Sequence, residues 1–152
     1  MPVLDSVVSQ AGKRLMGREM AAEALQGLRV LVVEDVAMLA WLVCDVLNGA
    51  GAEAVGPAPN VTSALALLQE CEVDAAVLDV NLDGETAYPI ADALAQQGVP
   101  FVFLTGYARV DMEGHHAARP VLGKPVRAEV LIRVLADLAA GRPISGSSHW
   151  PK

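Results

Sequence analysis

Asp74-Ala-Ala-Val-Leu-Asp79 decides the fold, because it is a short apolar run that ends on a single carboxylate. Three further apolar runs of similar length also stop on polar residues: Leu28-Arg-Val-Leu-Val-Val-Glu34-Asp35, Phe101-Val-Phe-Leu-Thr105 and Val121-Leu-Gly-Lys124. Their length and β-branched content predict buried strands. In a parallel sheet the carboxyl ends of the strands meet at one edge, where open α/β folds build their sites. We therefore expect the polar residues that end the four runs to lie together.

Length and composition favour one domain with a modest extension. The formal net charge is −7, so we expect no nucleic-acid partner, since phosphate backbones attract clusters of Lys and Arg. The chain has no apolar run that could span a bilayer and no secretory signal pattern, so we expect no membrane partner and a cytoplasmic location. Cys44 and Cys71 lie in apolar helical patterns without metal-like spacing, which predicts buried free thiols.

Regular Gly and Pro punctuation after Leu28 predicts alternating strands and helices. The predicted strands cover the run from Leu28, Glu53–Gly56, Ala75–Asp79, Phe101–Leu104 and Val121–Leu122. The predicted helices are Ala37–Asn48 with a C-cap at Gly49 and Gly51, Val61–Cys71 capped by Asn60 or Thr62, Thr86–Gln97, and Val126–Ala140. This alternation predicts a flavodoxin-like, doubly wound α/β fold with a five-stranded parallel sheet of order 2-1-3-4-5.

The chain divides into a folded domain over 28–142 and two terminal segments. In residues 1–27, Leu4, Val8, Ala11 and Leu15 recur at helical spacing, and basic residues occupy other positions. Two interpretations stay open: a weak amphipathic helix that docks on a partner or on a second copy as a homodimer, and a disordered leader. Residues 143–152 contain Ser-Gly-Ser-Ser, predict a flexible tail, and are too few to fold as an output domain.

Three acids at the predicted sheet edge suit a magnesium ion. Mg²⁺ prefers oxygen ligands and keeps several waters, so one or two carboxylates plus phosphate oxygens suffice. Glu34, Asp35 and Asp79 supply that set, with the backbone carbonyl near Asn81 as a further ligand. A divalent cation would also relieve the repulsion among the three carboxylates.

The remaining residues at this edge suit phosphoryl transfer. Asp79 is predicted to attack phosphorus as a nucleophile, forming an acyl phosphate. The Lys124 ammonium would neutralise charge on the equatorial oxygens, and the Thr105 hydroxyl would donate to one of them. Pro125 biases Lys124 towards an extended backbone, which keeps its side chain at the strand end. Each residue alone has a structural explanation, as a cap, a loop acid or a surface charge, but their joint pattern favours a phosphoryl-accepting pocket.

With these residues, the chain from about Leu28 to Arg142 resembles the receiver domain of two-component response regulators. The tract from Val99 to Tyr107 is similar to the signature of the FATGUY group, stand-alone receivers of alphaproteobacteria. The resemblance implies a non-enzymatic signalling protein with Asp79 as phosphoacceptor, Mg²⁺ as cofactor, and Thr105 as switch hydroxyl. It also implies a sensor histidine kinase or histidine phosphotransfer protein as donor, and another protein as the target.

The sequence departs from the family pattern in two places. The position three residues before the lysine usually carries Tyr or Phe, and here it is Val121. The segment between Thr105 and Lys124 is short and broken by Gly114 and Pro120, so the fourth helix of the family is predicted to be short or absent. Tyr107 is the nearest aromatic substitute, and Gly106 with Tyr107 is predicted to form the switch and partner loop.

Two alternatives come from other classes of protein. A haloacid-dehalogenase-like phosphatase also uses a strand-end Asp, but its general acid would stand at Asn81, and its metal acids follow the lysine. A pseudo-receiver would be a folded docking module that accepts no phosphate. Incubation with acetyl phosphate and Mg²⁺ distinguishes the receiver from these two alternatives. A receiver should gain a labile phosphoryl group, a phosphatase should turn over repeatedly, and a pseudo-receiver should remain unchanged.

Overall fold

Seven strands and four helices form within residues 24–106 and 119–141, which are the residues that the computed structural model describes. The strands are β1 Arg29–Val33, β2 Glu53–Ala58, β3 Ala75–Asp79, β4 Asn81–Leu82, β5 Glu85–Thr86, β6 Phe101–Thr105 and β7 Val121–Gly123. The helices are α1 Ala37–Gly49, α2 Val61–Glu70, α3 Tyr88–Gln96 and α4 Ala128–Ala139. None of these helices is long and apolar enough to cross a membrane.

Five strands form one parallel sheet in the order β2-β1-β3-β6-β7, and β4 and β5 form a separate antiparallel hairpin. Since β6 and β7 are the fourth and fifth strands of the main sheet, the predicted order 2-1-3-4-5 is confirmed. The fold is therefore the flavodoxin-like, doubly wound arrangement, whose functional edge lies at the carboxyl ends of the strands.

Two apolar layers cover the two faces of the sheet. Along β1, Val30 and Val32 face one layer while Leu31 and Val33 face the other, as the two-residue repeat of a strand requires. The first layer is closed by buried residues of α1 and α4: Val43, Leu47, Leu131, Val134 and Leu135. The second layer is closed by buried residues of α2 and α3: Ala64, Leu68, Ile90, Ala91 and Leu94. Burial on both faces explains why the central strands are continuous apolar runs.

The second strand extends beyond its predicted end. Glu53–Gly56 was expected to stop at Pro57, but β2 continues to Ala58, whose carbonyl accepts the Glu34 N–H at 3.0 Å. Because β2 lies at the edge of the sheet, the missing N–H of Pro57 leaves no ladder bond unmade inside it. Gly56 has φ of +102°, and a Cβ there would lie 2.8 Å from the Ala58 nitrogen. The prolyl peptide at Pro57 is cis, as is the one at Pro125.

The predicted helices are correct in position and differ at their ends. Asn60 caps α2, accepting the Ser63 N–H at 2.8 Å, which selects it over the alternative cap Thr62. α1 runs through Gly49, and the left-handed residue after its C-cap is Gly51, with φ of +92°. α2 ends at Glu70 rather than Cys71, which leaves the helix with an extended backbone. α4 begins two residues later than predicted, because Arg127 keeps an extended backbone as its N-cap.

The predicted third helix starts too early, because the residues before it pair as a hairpin. Thr86 belongs to β5 and pairs with Asn81 of β4, so α3 begins only at Tyr88. Asp83 and Gly84 form the turn, with φ of +53° and +92°. An Asp-Gly pair with positive φ at both residues is the favoured two-residue hairpin turn. The sequence contained this signal, and the prediction overlooked it.

Three predictions concern residues outside the described ranges. These are the character of residues 1–23, the short or absent helix between Thr105 and Val121, and the flexible tail. The two cysteines are free, as predicted, but each is half-buried rather than fully buried.

Candidate functional site

The ends of β1 and β3 place two of the predicted acids side by side. Val33 pairs with Leu78, so the residues that follow, Glu34 and Asp79, lie at the same level on neighbouring strands. Both are buried, with exposed fractions of 3% and 6%. Asp35 is half-buried, and its backbone N–H donates to Glu34 Oε2 at 3.2 Å. The order of the sheet therefore brings the acidic pair to Asp79, as the sequence predicted.

Lys124 directly follows the edge strand β7, and its side chain reaches the acidic group on the other side of β6. Its Nζ donates to Glu34 Oε1 at 2.6 Å and to Asp79 Oδ2 at 2.8 Å. Only 19% of the lysine side chain is exposed, against 2% for Glu34 and 9% for Asp79. One ammonium thus bridges two buried carboxylates, one directly after β1 and one at the end of β3.

Thr105 ends the strand that lies between Asp79 and Lys124. Asp79 pairs with Leu104, and Thr105 pairs with Gly123, so the threonine stands one residue beyond the level of the aspartate. It is 4% exposed, and its carbonyl accepts the Lys124 backbone N–H at 2.7 Å.

The predicted switch residues after the threonine are described only in part. Gly106 is exposed, and a Cβ at this residue would meet open space, so its backbone here does not depend on glycine. Tyr107 lies outside the described residues. Val121, which occupies the position of the usual aromatic residue, is half-buried against the layer that contains Phe103.

The overlooked hairpin contributes to the site. The backbone N–H of Asn81 donates to Asp79 Oδ1 at 3.2 Å, while Oδ2 of the same carboxylate accepts from Lys124. The Asn81 side chain in turn accepts the Gly84 N–H at 3.1 Å, which ties the hairpin turn to the strand end. Asn81 was predicted to offer its carbonyl to a metal. The contacts described here add a positioning role, in which the residue holds the Asp79 carboxylate from the hairpin side.

Burial and crowding change the protonation of the cluster. The pKa of Glu34 is raised to about 7, first by burial and then by the neighbouring Asp79 carboxylate, while Lys124 partly offsets both. Burial alone would lower the pKa of Lys124, but its hydrogen bonds to Asp79 and Glu34 outweigh that effect, so its pKa is raised. The site therefore holds more negative charge than one ammonium can neutralise.

The cluster is chemically suited to a divalent cation. One carboxylate oxygen from each of Glu34, Asp35 and Asp79 lies within 4.8 Å of the other two. All three donors are hard oxygens, the ligand type that Mg²⁺ prefers. Three carboxylates meet a single ammonium here, and a divalent cation would relieve their repulsion. These three residues fit the predicted metal site.

Comparison with known proteins gives one family. Residues 30–136, more than half of the chain, match the family described as the response regulator receiver domain. A curated relative, protein-glutamate methylesterase/protein-glutamine glutaminase 1 of Paramagnetospirillum magneticum, is 36% identical over 78 residues. That alignment covers 49% of this chain and 20% of the relative, so the chain spans about a fifth of its length.

Solved structures also match this chain. The solution structure of SdrG from Sphingomonas melonis Fr1 has a TM-score of 0.66 and 39% identity, covering 76% of this chain and 97% of that chain. The BeF3-activated conformation of SdrG from Pseudomonas melonis Fr1 has a TM-score of 0.62 and 37% identity, covering 73% and 95%. The response regulator PhyR from Brucella abortus, at 19% identity and a TM-score of 0.61, shares the fold and covers 87% and 54%.

Proposed function

We propose that this chain, which belongs to the response regulator receiver domain family, works as a single-domain response regulator in a two-component phosphorelay. In this proposal Asp79 accepts a phosphoryl group from a sensor histidine kinase or a histidine phosphotransfer protein. The phosphorylated protein then signals by binding another protein in the cytoplasm. The observation that carries the proposal is the bridge from Lys124 to the Asp79 carboxylate, set in a cluster of three acids.

The proposed step is a transfer from nitrogen to oxygen. An Asp79 carboxylate oxygen attacks phosphorus, the P–N bond of the donor phosphohistidine breaks, and the imidazole nitrogen leaves with the electron pair and takes up a proton. The product is an acyl phosphate on Asp79 and a neutral histidine on the donor. Burial of Asp79 at the end of β3 favours this chemistry, because few waters compete for phosphorus there.

Two neighbouring side chains stabilise the transferring group in this proposal. Lys124 already contacts Asp79 Oδ2, so its ammonium needs little movement to meet the phosphoryl oxygens. Thr105, at the end of the adjacent strand, would donate its hydroxyl to another of those oxygens. Because Thr105 is tied to Lys124 through the backbone, movement at one of them reaches the other.

We infer that the three acids hold Mg²⁺, with the Asn81 carbonyl as a further ligand. When bound, the ion would neutralise charge on the phosphoryl oxygens and help to orient them. Glu34 and Asp35 follow β1 directly, so their positions are fixed by an interior strand of the sheet rather than by a long loop. This placement supports a preformed site.

A signalling output is supported by the relatives. SdrG has a BeF3-activated conformation, and we extend to this chain the idea of a receiver that changes on activation. Thr105 and the loop from Gly106 to Tyr107 would carry the change to a partner. The FATGUY assignment, which implies a stand-alone receiver, belongs to the same proposal.

The test is incubation of the full chain with acetyl phosphate and Mg²⁺, followed by intact mass measurement. We expect a labile addition of about 80 Da, the mass of one phosphoryl group. Asp79→Asn should remove it, and Asp45→Asn, an exposed helical aspartate, should not. Labelling that survives Asp79→Asn contradicts the assignment. Continuous release of phosphate would identify a phosphatase, and no addition to the parent protein would identify a pseudo-receiver.

A further inference from the structure

The strand β2 carries one more residue than β1 at the point where both approach the acidic pair. Leu31 of β1 pairs with Val55, but Val33 pairs with Ala58, so two steps along β1 correspond to three along β2. The extra residue lies in the segment Gly56–Ala58, which we call the β2 bulge. Bulges bend a strand and strengthen its twist, and they are frequent beside active sites.

Packing in the core does not explain the bulge. Val55 and Ala58 both belong to the apolar layer that contains Leu31 and Val33. Side chains two residues apart share a face of a regular strand, so a β2 with one residue fewer could make the same two pairs and fill the same layer. The extra residue therefore adds nothing to this part of the core.

Gly56 brings the backbone of β2 too close to β1 for a side chain to fit. Its φ of +102° is one that L side chains rarely adopt, and a Cβ would lie 2.8 Å from the Ala58 nitrogen and 3.0 Å from the Val32 carbonyl oxygen. Both contacts are with backbone atoms, which cannot rotate away. A Cβ would meet nothing within 4 Å at four other glycines with positive φ: Gly27, Gly84, Gly98 and Gly141.

The far end of the β2 bulge holds the acidic pair. The Ala58 carbonyl accepts the Glu34 N–H at 3.0 Å, one residue beyond the end of β1. The Glu34 carboxylate in turn accepts the Asp35 N–H through Oε2 and the Lys124 ammonium through Oε1. Because Glu34 is only 3% exposed, a shift of its backbone cannot be absorbed by movement into solvent. The position of Ala58 is thus transmitted to both acids.

We propose that Gly56 is a positioning residue for the Mg²⁺ site. By allowing the close approach to Val32, it sets the Ala58 carbonyl that holds Glu34, and through Glu34 the arrangement of the three acids. Mg²⁺ demands near-ideal octahedral geometry, so a small displacement of one ligand weakens binding. The inference rests on the proposed function, because it concerns the same metal site.

The test compares two glycines that share the backbone strain but differ in their contacts. Gly56→Ala introduces the strain of a positive φ together with the contacts to backbone atoms. Gly98→Ala, where φ is +71° and nothing lies within 4 Å of the Cβ, introduces the strain alone, at the opposite edge of the sheet. In Mg²⁺ titrations of the full chain, we expect Gly56→Ala to bind about tenfold more weakly or worse, and Gly98→Ala to bind like the parent. Parent-like affinity in Gly56→Ala would overturn the proposal.

A metal-free readout separates positioning from a loss of stability. Both substitutions should lower the free energy of unfolding, so urea unfolding serves to show that each variant is folded under the titration conditions. The NMR chemical shift of the Glu34 N–H reports its bond to the Ala58 carbonyl. It should change in Gly56→Ala and not in Gly98→Ala. Weaker Mg²⁺ binding with an unchanged Glu34 resonance would mean that Gly56 acts by another route, which contradicts the proposal.

Deletion of Pro57 keeps the proposal testable if Gly56→Ala does not fold. Without this residue, Gly56 lies opposite Val32, and the pairs on either side are retained in a regular register. We expect the deletion variant to fold and to bind Mg²⁺ about tenfold more weakly than the parent or worse. Parent-like binding, or loss of the fold, would assign the β2 bulge a purely structural role.

Labelling with acetyl phosphate distinguishes this proposal from the proposed function. A parent protein that binds Mg²⁺ but gains no phosphoryl group would contradict the proposed function, while the affinities of the variants would still decide the role of Gly56. A parent protein that binds no Mg²⁺ would overturn the positioning role itself.

Discussion

The Nζ atom of Lys124 lies 2.8 Å from Asp79 Oδ2 and 2.6 Å from Glu34 Oε1, which joins the last strand of the sheet to its two central strands. Thr105, on the strand between them, accepts the Lys124 backbone N–H. Lys124 and Thr105 therefore belong to one connected arrangement around Asp79. We expect a substitution at any of these residues to alter the contacts of the other two.

The lysine bridge should matter for stability as well as for chemistry. In the absence of divalent metal, Lys124→Ala leaves Glu34 and Asp79 without their shared cation, and breaking a buried pair from one side costs about 3–5 kcal/mol. Because 19% of the lysine side chain is exposed, we expect a value at or below the lower end of that range. Urea unfolding in EDTA measures it.

The matched control is an exposed ion pair. Glu53→Gln removes the partner of Arg29, in a pair whose side chains are 37% and 68% exposed. Surface pairs contribute about 0–1 kcal/mol, so this variant should unfold almost like the parent. Equal losses in the two variants would mean that the bridge of Lys124 contributes no more than a surface contact.

The site was predictable from sequence because it depends on strand order. Five strands with right-handed crossovers leave few arrangements, and the order 2-1-3-4-5 places the residues after β1 and β3 side by side. The strand order alone therefore predicts that Glu34 and Asp79 lie side by side, without any knowledge of side-chain geometry. Lys124 was predicted at the same edge, and its contacts show which carboxylates it selects.

Other features depend on contacts that no local pattern contains. β2 passes through Pro57 because it happens to be an edge strand, which its own sequence does not reveal. The Asp83-Gly84 pair is a recognisable turn signal in the sequence. The strands that flank it have only two residues each, so they are too short to show the alternation of apolar and polar residues that predicts a strand. The exposed apolar side of α1 was not predictable for a similar reason, since an apolar helix predicts burial and only the packing shows which side is exposed.

The raised pKa of Glu34 predicts a pH dependence of stability in the metal-free protein. Its pKa is about 7 in the folded state against 4.5 for the ordinary group, so the folded state holds the proton more tightly. Stability rises with pH only where the unfolded state binds more protons, and here the folded state binds more. The contribution of Glu34 to the free energy of unfolding should therefore fall as pH rises from 4.5 through 7.

Glu34→Gln isolates this contribution. In EDTA, the variant should gain stability relative to the parent as pH rises through that window, because glutamine has no proton to lose. Urea unfolding of both proteins across the window gives the difference. A difference that stays constant with pH would show that Glu34 titrates in the folded state as it does in the unfolded chain.

The predicted metal ligands should differ in importance. Asp35→Ala is expected to abolish Mg²⁺ binding and labelling of Asp79 together, whereas Glu34→Gln should weaken both less, since an amide oxygen still coordinates. Isothermal titration with Mg²⁺, followed by labelling with acetyl phosphate, measures the two effects. Asp45→Ala, away from the cluster, is the control. Normal labelling in Asp35→Ala would place the metal elsewhere.

The last prediction separates accepting the phosphoryl group from responding to it. Thr105→Ala should still be labelled on Asp79, because the nucleophile and Lys124 remain, but it lacks the hydroxyl that would donate to the new oxygens. Thr105→Ser keeps that hydroxyl and should behave like the parent. The backbone N–H of Lys124 is a suitable reporter, because it donates to the Thr105 carbonyl at 2.7 Å. Its NMR chemical shift should change when the threonine moves. Heteronuclear NMR of the parent should show a change at this amide when beryllofluoride is added, and Thr105→Ala should show a much smaller one. If the shift is as large in Thr105→Ala as in the parent, the hydroxyl has no part in the response.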